Sequence, residues 1–169
     1  MYAVVRTDNM AATDTRSLLV SAKYFVVNED SEKVATAIEN GNVIKLGGLI
    51  SGEREVFEGG VVAATDKLDD VVLVASPEVM YDERKHNLHD FINEAGKIVR
   101  GYRLHSGDIF SVTAEALAVA SPAVNQIVEL AAGTKLKNVA SATQGSTVVG
   151  KIIAKDTVGG KDFFVIKVN

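Results

Sequence analysis

A short motif occurs twice in this chain and limits the fold more than any other feature of the sequence. Each copy starts with Gly-Lys-Ile and continues, twelve residues after the glycine, with Asp and a mostly apolar run: residues 96–99 with 108–112, and residues 150–153 with 162–166. A glycine-bearing turn, Ser106-Gly107 or Gly159-Gly160, separates the apolar runs of each copy. The pattern predicts two β-hairpins, which are either related copies or a chance similarity.

Other short apolar runs alternate with turn residues along the whole chain. The stretch 18–27 (LLVSAKYFVV) is rich in β-branched and aromatic residues, and Asn40-Gly41 is a strong turn signal. The run 71–75 (VVLVA) has five consecutive apolar residues, which favours a strand covered on both faces. We predict a mainly β fold, a sandwich or barrel of about ten short strands.

One stretch has a helical rather than a strand pattern. Leu88, Phe91, Ile92 and Ala95 recur at the spacing of one helical face, and Gly96 follows where a C-terminal glycine would end the helix. The pattern predicts one α-helix over about residues 82–95, packed on the β structure. The chain of 169 residues has the length of a single domain, with subdomains 1–76 and 97–169 joined by a helix over 78–96 as an alternative.

Composition excludes several classes of function. The chain has no cysteine, so it has neither a disulfide framework nor a thiolate nucleophile. The net charge is −4 and no basic run is present, which argues against nucleic acid and against an anionic membrane surface as partners. No apolar segment reaches the 18 or so residues of a membrane span, and the N-terminus has no signal-peptide pattern.

No catalytic or cofactor motif is found, and the densest polar cluster offers only a weak metal site. His86 and His89 are three residues apart, so on a helix they would share a face and could bind a metal together with Glu83 or Asp90. A solvated helix face explains the same pattern without a metal. We therefore predict no catalytic residue, no metal and no cofactor, with His86 and His89 as the metal-ligand alternative.

Several segments of this chain resemble small structural proteins of tailed bacteriophages, in particular those of phages that infect Firmicutes. The resembling segments are VMYDERK (79–85), FINEAGK (91–97), RGYRL (100–104), GDIFSVT (107–113), GTKL (133–136) and GKIIAK (150–155). Together they span most of the chain, and they are structural rather than catalytic. Among such virion proteins, a cysteine-free, acidic, β-rich chain of this size is similar to capsid decoration, or cement, proteins.

The resemblance implies a non-enzymatic protein that binds the outer surface of the major capsid protein, contacts further copies of itself and stabilises the phage head. It would be made in the host cytoplasm and reside in the virion. Termini, loops and a charged helix face are the expected contact regions. The candidate partner-binding residues are Tyr2, Arg6, Asp82, Arg84, His86, Arg103 and Gln144.

Three alternatives remain open from the sequence. The chain could be a tail-tube, connector or head-fibre base protein, because ring-forming tail proteins also use β-sandwiches. It could be a metal-dependent hydrolase that uses His86, His89 and a carboxylate. A nucleic-acid-binding module, suggested by Arg100 and Arg103 beside Tyr102, is the least favoured because the chain is acidic.

Overall fold

In a computed structural model, which describes residues 1–15, 18–80, 82, 84 and 87–169, the chain forms two β-sheets. The strands, in chain order, are β1 (Val5–Asn9), β2 (Leu19–Val27), β3 (Lys33–Ala35), β4 (Val43–Leu49), β5 (Val56–Gly60), β6 (Val71–Val74), β7 (Val99–Arg103), β8 (Ile109–Thr113), β9 (Ile127–Glu129), β10 (Lys137–Val139), β11 (Val148–Val158) and β12 (Lys161–Val168). The helical elements are α1 (Ala11–Asp14) and 3-10 turns at Leu68–Asp70, Leu88–Asp90 and Ala114–Ala116. Strands make up 45% of the structure, which confirms the predicted mainly β class.

The first sheet closes into a five-stranded barrel. Its order is β2-β5-β4-β6-β7, and β7 pairs back with β2 to close the ring, while β3 extends the far end of β2. Alternate residues of β2, namely Val20, Ala22 and Tyr24, are buried because successive side chains of a strand point to opposite faces. The interior is so small that a Cβ on Gly101 would lie 2.7 Å from Val72.

The second sheet is open and entirely antiparallel, in the order β1-β8-β12-β11-β9-β10. Its inner face carries Phe110, Ile152 and Ile166, all with no exposed surface. These side chains belong to the same buried cluster as Val43 and Leu73 of the barrel. Burial stabilises each by roughly 1.5–3 kcal/mol, so this shared cluster holds the open sheet against the outside of the barrel.

Strand β6 confirms the prediction of a strand covered on both faces. Val72 and Val74 point into the barrel, whereas Val71 and Leu73 belong to the cluster shared with the open sheet. All four side chains are fully buried. A strand between two apolar layers loses the usual alternation of apolar and polar residues.

The predicted helix over residues 82–95 is wrong. The described part of this stretch contains only the 3-10 turn Leu88–Asp90, and Leu88 is 51% exposed. The physical reason is tertiary: the backbone N–H and C=O of Asn93 are both bonded to Ile38, at 3.0 and 2.9 Å, and cannot take part in a helical ladder. The α-helix of the structure is instead α1, and no helix in the described residues is long and apolar enough to cross a membrane.

The first of the two predicted hairpins is also wrong, whereas the second is confirmed. β11 and β12 form this second hairpin: they pair from Gly150 opposite Val168 to Val158 opposite Lys161. β7 pairs with β2 and β6, but β8 pairs with β1 and β12, so the turn at Ser106-Gly107 leads from one sheet to the other. β1 lies in the open sheet and β7 in the barrel, so each sheet draws strands from both sides of residues 76–97.

Candidate partner-binding surfaces

The connection between β6 and β7 covers residues 75–98, and the described part of it contains one 3-10 turn. Connections longer than roughly 12–15 residues without secondary structure are uncommon in globular domains and are usually either functional loops or linker segments. This connection is therefore the first candidate for a binding element.

Two buried asparagines attach both ends of this connection to the barrel. Asn40 donates from Nδ2 to the carbonyl oxygen of Ser76 at 2.8 Å, and its Oδ1 accepts from the Ser76 N–H at 3.0 Å. The same Oδ1 accepts from Nδ2 of Asn93, also at 3.0 Å, and that Nδ2 also donates to the carbonyl oxygen of Ile38. The two attachments fix the backbone at residue 76 and the side chain of residue 93.

Replacing Asn40 with alanine is expected to lower the free energy of unfolding by about 2–3 kcal/mol, because partners in a buried network lose their hydrogen bonds. The connection should also open locally and become a faster substrate for trypsin, which cleaves after residues such as Arg84. Urea unfolding and limited proteolysis measure the two effects. Asn9→Ala, at an exposed position of β1, is the matched control. Equal cleavage rates for the two variants would contradict the role given to Asn40.

A groove that we call the loop groove lies between the two limbs of this connection. It has a volume of about 760 Å³. Its apolar lining includes Val79, Met80 and Phe91, and Val79 is 59% exposed. Asp90 and Glu94 also line it, so a partner here would meet an apolar surface with carboxylates beside it.

A second concavity, the barrel-mouth groove, opens where β2 and β5 diverge at one end of the barrel. It has a volume of about 420 Å³, and its lining comprises Phe25, Val26, Val27, Lys33, Lys45, Leu46, Gly47, Glu58, Gly59, Gly60 and Val61. Val27 is 60% exposed and Val61 is 45% exposed. Grouped exposed apolar side chains of this kind mark surfaces that bind other molecules.

The hairpin formed by β2 and β3 separates the two grooves. Lys33 at one end of β3 lines the barrel-mouth groove. At the other end of β3, Ala35 lies next to Gly96, which precedes Lys97 and Ile98 in the lining of the loop groove. Val34, between them, is 46% exposed. The hairpin thus borders the barrel-mouth groove at Lys33 and approaches the loop groove at Ala35.

Two ion pairs set the charge of the barrel-mouth groove. Lys33 Nζ lies 2.5 Å from Glu58 Oε2, and Lys45 Nζ lies 2.5 Å from Asp66 Oδ1. The hydrogen bond and the charge of Asp66 raise the pKa of Lys45. Burial by itself raises the pKa of Asp66, but its bonds with Lys45 and with the Ala63 N–H outweigh burial and lower it. Both partners are therefore charged at neutral pH.

The residues predicted to bind a partner lie on several separate elements. Asp82 and Arg84 are in the β6–β7 connection and form an ion pair at 2.9 Å, while His86 lies outside the described residues. Arg6 on β1 lies over the ring of Phe163 at 5.5 Å.

The other three predicted residues are placed elsewhere. Arg103 ends β7 and donates to the carbonyl oxygen of Asp69 at 2.6 Å. Gln144 is exposed in the connection between β10 and β11. Tyr2 is held against His89. Of the predicted binding residues that the structure describes, Asp82 lines the loop groove, and Arg84 contacts it through the ion pair with Asp82.

His89, one of the two predicted metal-ligand alternatives, is engaged with the N-terminal segment. Its Nδ1 is 3.2 Å from the carbonyl oxygen of Tyr2, and its own carbonyl oxygen accepts from the Tyr2 N–H at 3.0 Å. The first contact requires the tautomer or charge state with a proton on Nδ1. Across the described residues, no group of three or more His, Cys, Asp or Glu side chains is arranged to hold a metal ion.

Sequence reasoning missed the barrel-mouth groove. The stretch 18–27 favours one strand or a bent pair and contains the single strand β2, but the sequence of a strand does not reveal where its neighbour ends. The missing signal is Gly60, the last residue of β5, where an added Cβ would meet no atom within 4 Å and which therefore leaves the space beside β2 unfilled.

Comparison with known proteins does not relate this chain to a family. No protein-family model matches the chain, and no curated protein or solved structure is significantly similar to it.

Proposed function

We propose that this protein is a non-enzymatic structural component of a tailed-phage virion, a capsid decoration protein that binds the outer surface of the major capsid protein. The segments that resemble phage virion proteins supply the identity of the partner. The observation that carries the binding role is the exposed apolar surface at the two grooves and on β3, where Val27, Val79 and Val34 are each between 46% and 60% exposed.

The architecture suits a protein that stabilises a shell. Two sheets share one buried cluster, which makes a rigid body that can transmit force between neighbouring capsid subunits. The β6–β7 connection and the two grooves provide contacts on the surface of that body. Individually weak contacts gain strength when a lattice repeats them and holds the protein at high local concentration.

The test is the position and stoichiometry of the protein in purified particles of the phage that encodes it. We expect quantitative mass spectrometry to find it in fixed proportion to the major capsid protein. We also expect cryo-electron microscopy to place it on the outer face of the head. Rings stacked along the tail would instead support a tail-tube role, and absence from the particle would contradict both structural roles.

A further inference from the structure

We propose that Asn40 and Gly41 form a spontaneous deamidation site, which the fold keeps closed and which, once it has reacted, permanently releases the β6–β7 connection from the barrel. In an open chain, an asparagine followed by glycine deamidates readily, because glycine has no side chain to shield its backbone nitrogen. Residues 40–41 are the only such pair in the sequence. The reaction needs no partner protein and does not depend on the proposed function.

The chemistry requires only these two residues and water. The backbone nitrogen of Gly41 loses its proton and attacks the side-chain carbonyl carbon of Asn40. The bond from that carbon to Nδ2 breaks, and Nδ2 takes up a proton and leaves as ammonia, so that side chain and backbone close a succinimide ring. Water then cleaves either C–N bond of the ring, placing a hydroxyl group on the carbon and a proton on the nitrogen. The new acid ionises, and the product is aspartate or isoaspartate.

The folded structure holds the reacting atoms in place. The Gly41 N–H donates to the carbonyl oxygen of Val74 at 2.8 Å, so the attacking nitrogen keeps its proton. Nδ2 of Asn40, the leaving group, donates to the carbonyl oxygen of Ser76 at 2.8 Å and to Glu78 Oε1 at 3.0 Å. Asn40 is only 1% exposed, which keeps out the water that opens the ring. The reaction therefore requires local opening, and its rate follows the population of the opened form.

The fold itself requires this reactive pair. Gly41 has a φ of +83°, and a Cβ there would lie 3.1 Å from the Cβ of Ala116, so a larger residue is disfavoured. Asn40 uses both ends of its amide, because Oδ1 accepts from the Ser76 N–H and from Nδ2 of Asn93 while Nδ2 donates. An ionised aspartate has acceptors only and could not replace it. The attachment of the connection therefore depends on the dipeptide that deamidates.

Deamidation removes the attachment and does not restore it. A carboxylate at residue 40 has no N–H to donate, so the carbonyl oxygen of Ser76 loses its partner. The new negative charge also meets the carboxylate of Glu78 where Nδ2 now donates, and like charges at this distance repel. Isoaspartate in addition lengthens the backbone beside Gly41, whose bond to Val74 fixes this turn. Because ammonia is lost, each molecule that reacts changes in one direction only.

The first experiment measures whether the fold controls the reaction. Wild-type protein is incubated at mildly alkaline pH with and without denaturing urea. Succinimide, aspartate and isoaspartate at residue 40 are then quantified by peptide mass spectrometry with chromatographic separation. We expect deamidation to be at least about tenfold slower in the folded protein than in urea. Equal rates in the two conditions, or no reaction at residue 40 in the unfolded chain, would overturn the proposed site.

Two variants separate local from global opening. Asn93→Ala removes the Nδ2 that donates to Asn40 Oδ1, whereas Glu129→Ala weakens the fold at β9 in the open sheet. Without urea, Asn93→Ala should deamidate at residue 40 several-fold faster than both wild type and Glu129→Ala. In urea all three proteins should react at the same rate, because the network is absent there. If Asn93→Ala reacts no faster than Glu129→Ala, the hydrogen bonds of Asn40 do not control the reaction.

A last measurement tests the release of the connection. Deamidated wild-type protein carries an added negative charge, so anion exchange separates it from the intact protein. We expect trypsin to cleave the β6–β7 connection at least about fivefold faster in the deamidated protein and in Asn40→Asp. Asn9→Asp adds the same charge at an exposed position of β1 and should leave the rate unchanged. Cleavage of the deamidated wild-type protein at the intact rate would refute the release, whether or not Asn40→Asp folds.

Discussion

Replacement of Gly150 with alanine is expected to destabilise the protein by about 4 kcal/mol or more, an unusually large effect for the addition of one methyl group. A Cβ at this position would lie 2.1 Å from the carbonyl oxygen of Lys167 and 2.8 Å from its carbonyl carbon. Both atoms belong to the backbone of β12, which pairs with β11 at this point, so they can move only if the ladder between the two strands breaks. A typical domain is stable by only about 5–15 kcal/mol, so we expect a largely unfolded or poorly soluble variant.

The matched control is Gly48→Ala in β4. No atom lies within 4 Å of a Cβ built at Gly48, and its backbone is outside the left-handed region. We expect its free energy of unfolding, measured by urea titration, to stay within about 0.5 kcal/mol of wild type, because alanine also lowers the entropy of the unfolded chain. Equal unfolding midpoints for the two alanine variants would show that β11 and β12 do not approach each other as described.

The two glycines of the repeated motif illustrate how far local pattern determines this fold. Gly150 lies within a strand and is required by close backbone packing, whereas Gly96 has a φ of +76° and lies in the last residues of the β6–β7 connection. The β11–β12 hairpin was predictable because its two strands pair with each other through the tight turn at Gly159-Gly160. The similar pattern in β7 and β8 failed as a prediction because their partners are remote strands, and sequence alternation does not specify which strand is the partner.

The predicted helix failed for a related reason. The spacing of Leu88, Phe91 and Ile92 is helical, but the buried position in this stretch is Asn93, which is 5% exposed and bonded to Ile38 and Asn40. A helix prediction from the spacing of apolar residues assumes that apolar side chains decide which face is buried. Here a polar side chain with long-range hydrogen bonds decides, and its partners are more than fifty residues away.

The candidate site was predicted only in part. Asp82 and Arg84 were predicted as contacts on a charged helix face, whereas the structure places them in the β6–β7 connection, outside any helix. The barrel-mouth groove could not be predicted, because it exists only where β5 stops pairing with β2 while β2 continues to Val27. Whether an apolar side chain is exposed depends on how far the neighbouring strands extend, and the local sequence does not encode this.

Glu129 is expected to be the most important ionised side chain for stability. It is fully buried at the end of β9 and accepts hydrogen bonds from the Thr143 N–H at 2.8 Å and the Thr143 hydroxyl at 2.6 Å. Lys137 Nζ is 3.1 Å away. These contacts hold residues 141–147, a segment whose composition predicts a flexible loop.

We expect Glu129→Ala to lower the free energy of unfolding by about 3 kcal/mol, because it leaves buried donors without an acceptor. Hydrogen exchange at the amide of Thr143 should accelerate. Gln144→Ala, at an exposed position of the same segment, should change stability by less than about 0.5 kcal/mol. A comparable effect of the two substitutions on urea unfolding would contradict the anchoring role of Glu129.

The same carboxylate should make stability depend on pH. Burial by itself raises the pKa of Glu129, but the hydrogen bonds from Thr143 and Lys137 and the charge of Lys137 outweigh burial, so the pKa in the folded state lies below the ordinary value of a glutamate. The folded state then binds fewer protons than the unfolded state, so the stabilisation is fully present above the unfolded pKa and is lost as pH falls through the folded pKa. Glu129→Gln removes this titration while keeping the shape of the side chain. The difference in unfolding free energy between wild type and Glu129→Gln should therefore be largest near neutral pH and should shrink from about pH 5 to about pH 3. A difference that stays constant over this range would mean that the folded and unfolded states hold the Glu129 proton equally, and that the contacts with Thr143 and Lys137 do not favour the ionised form.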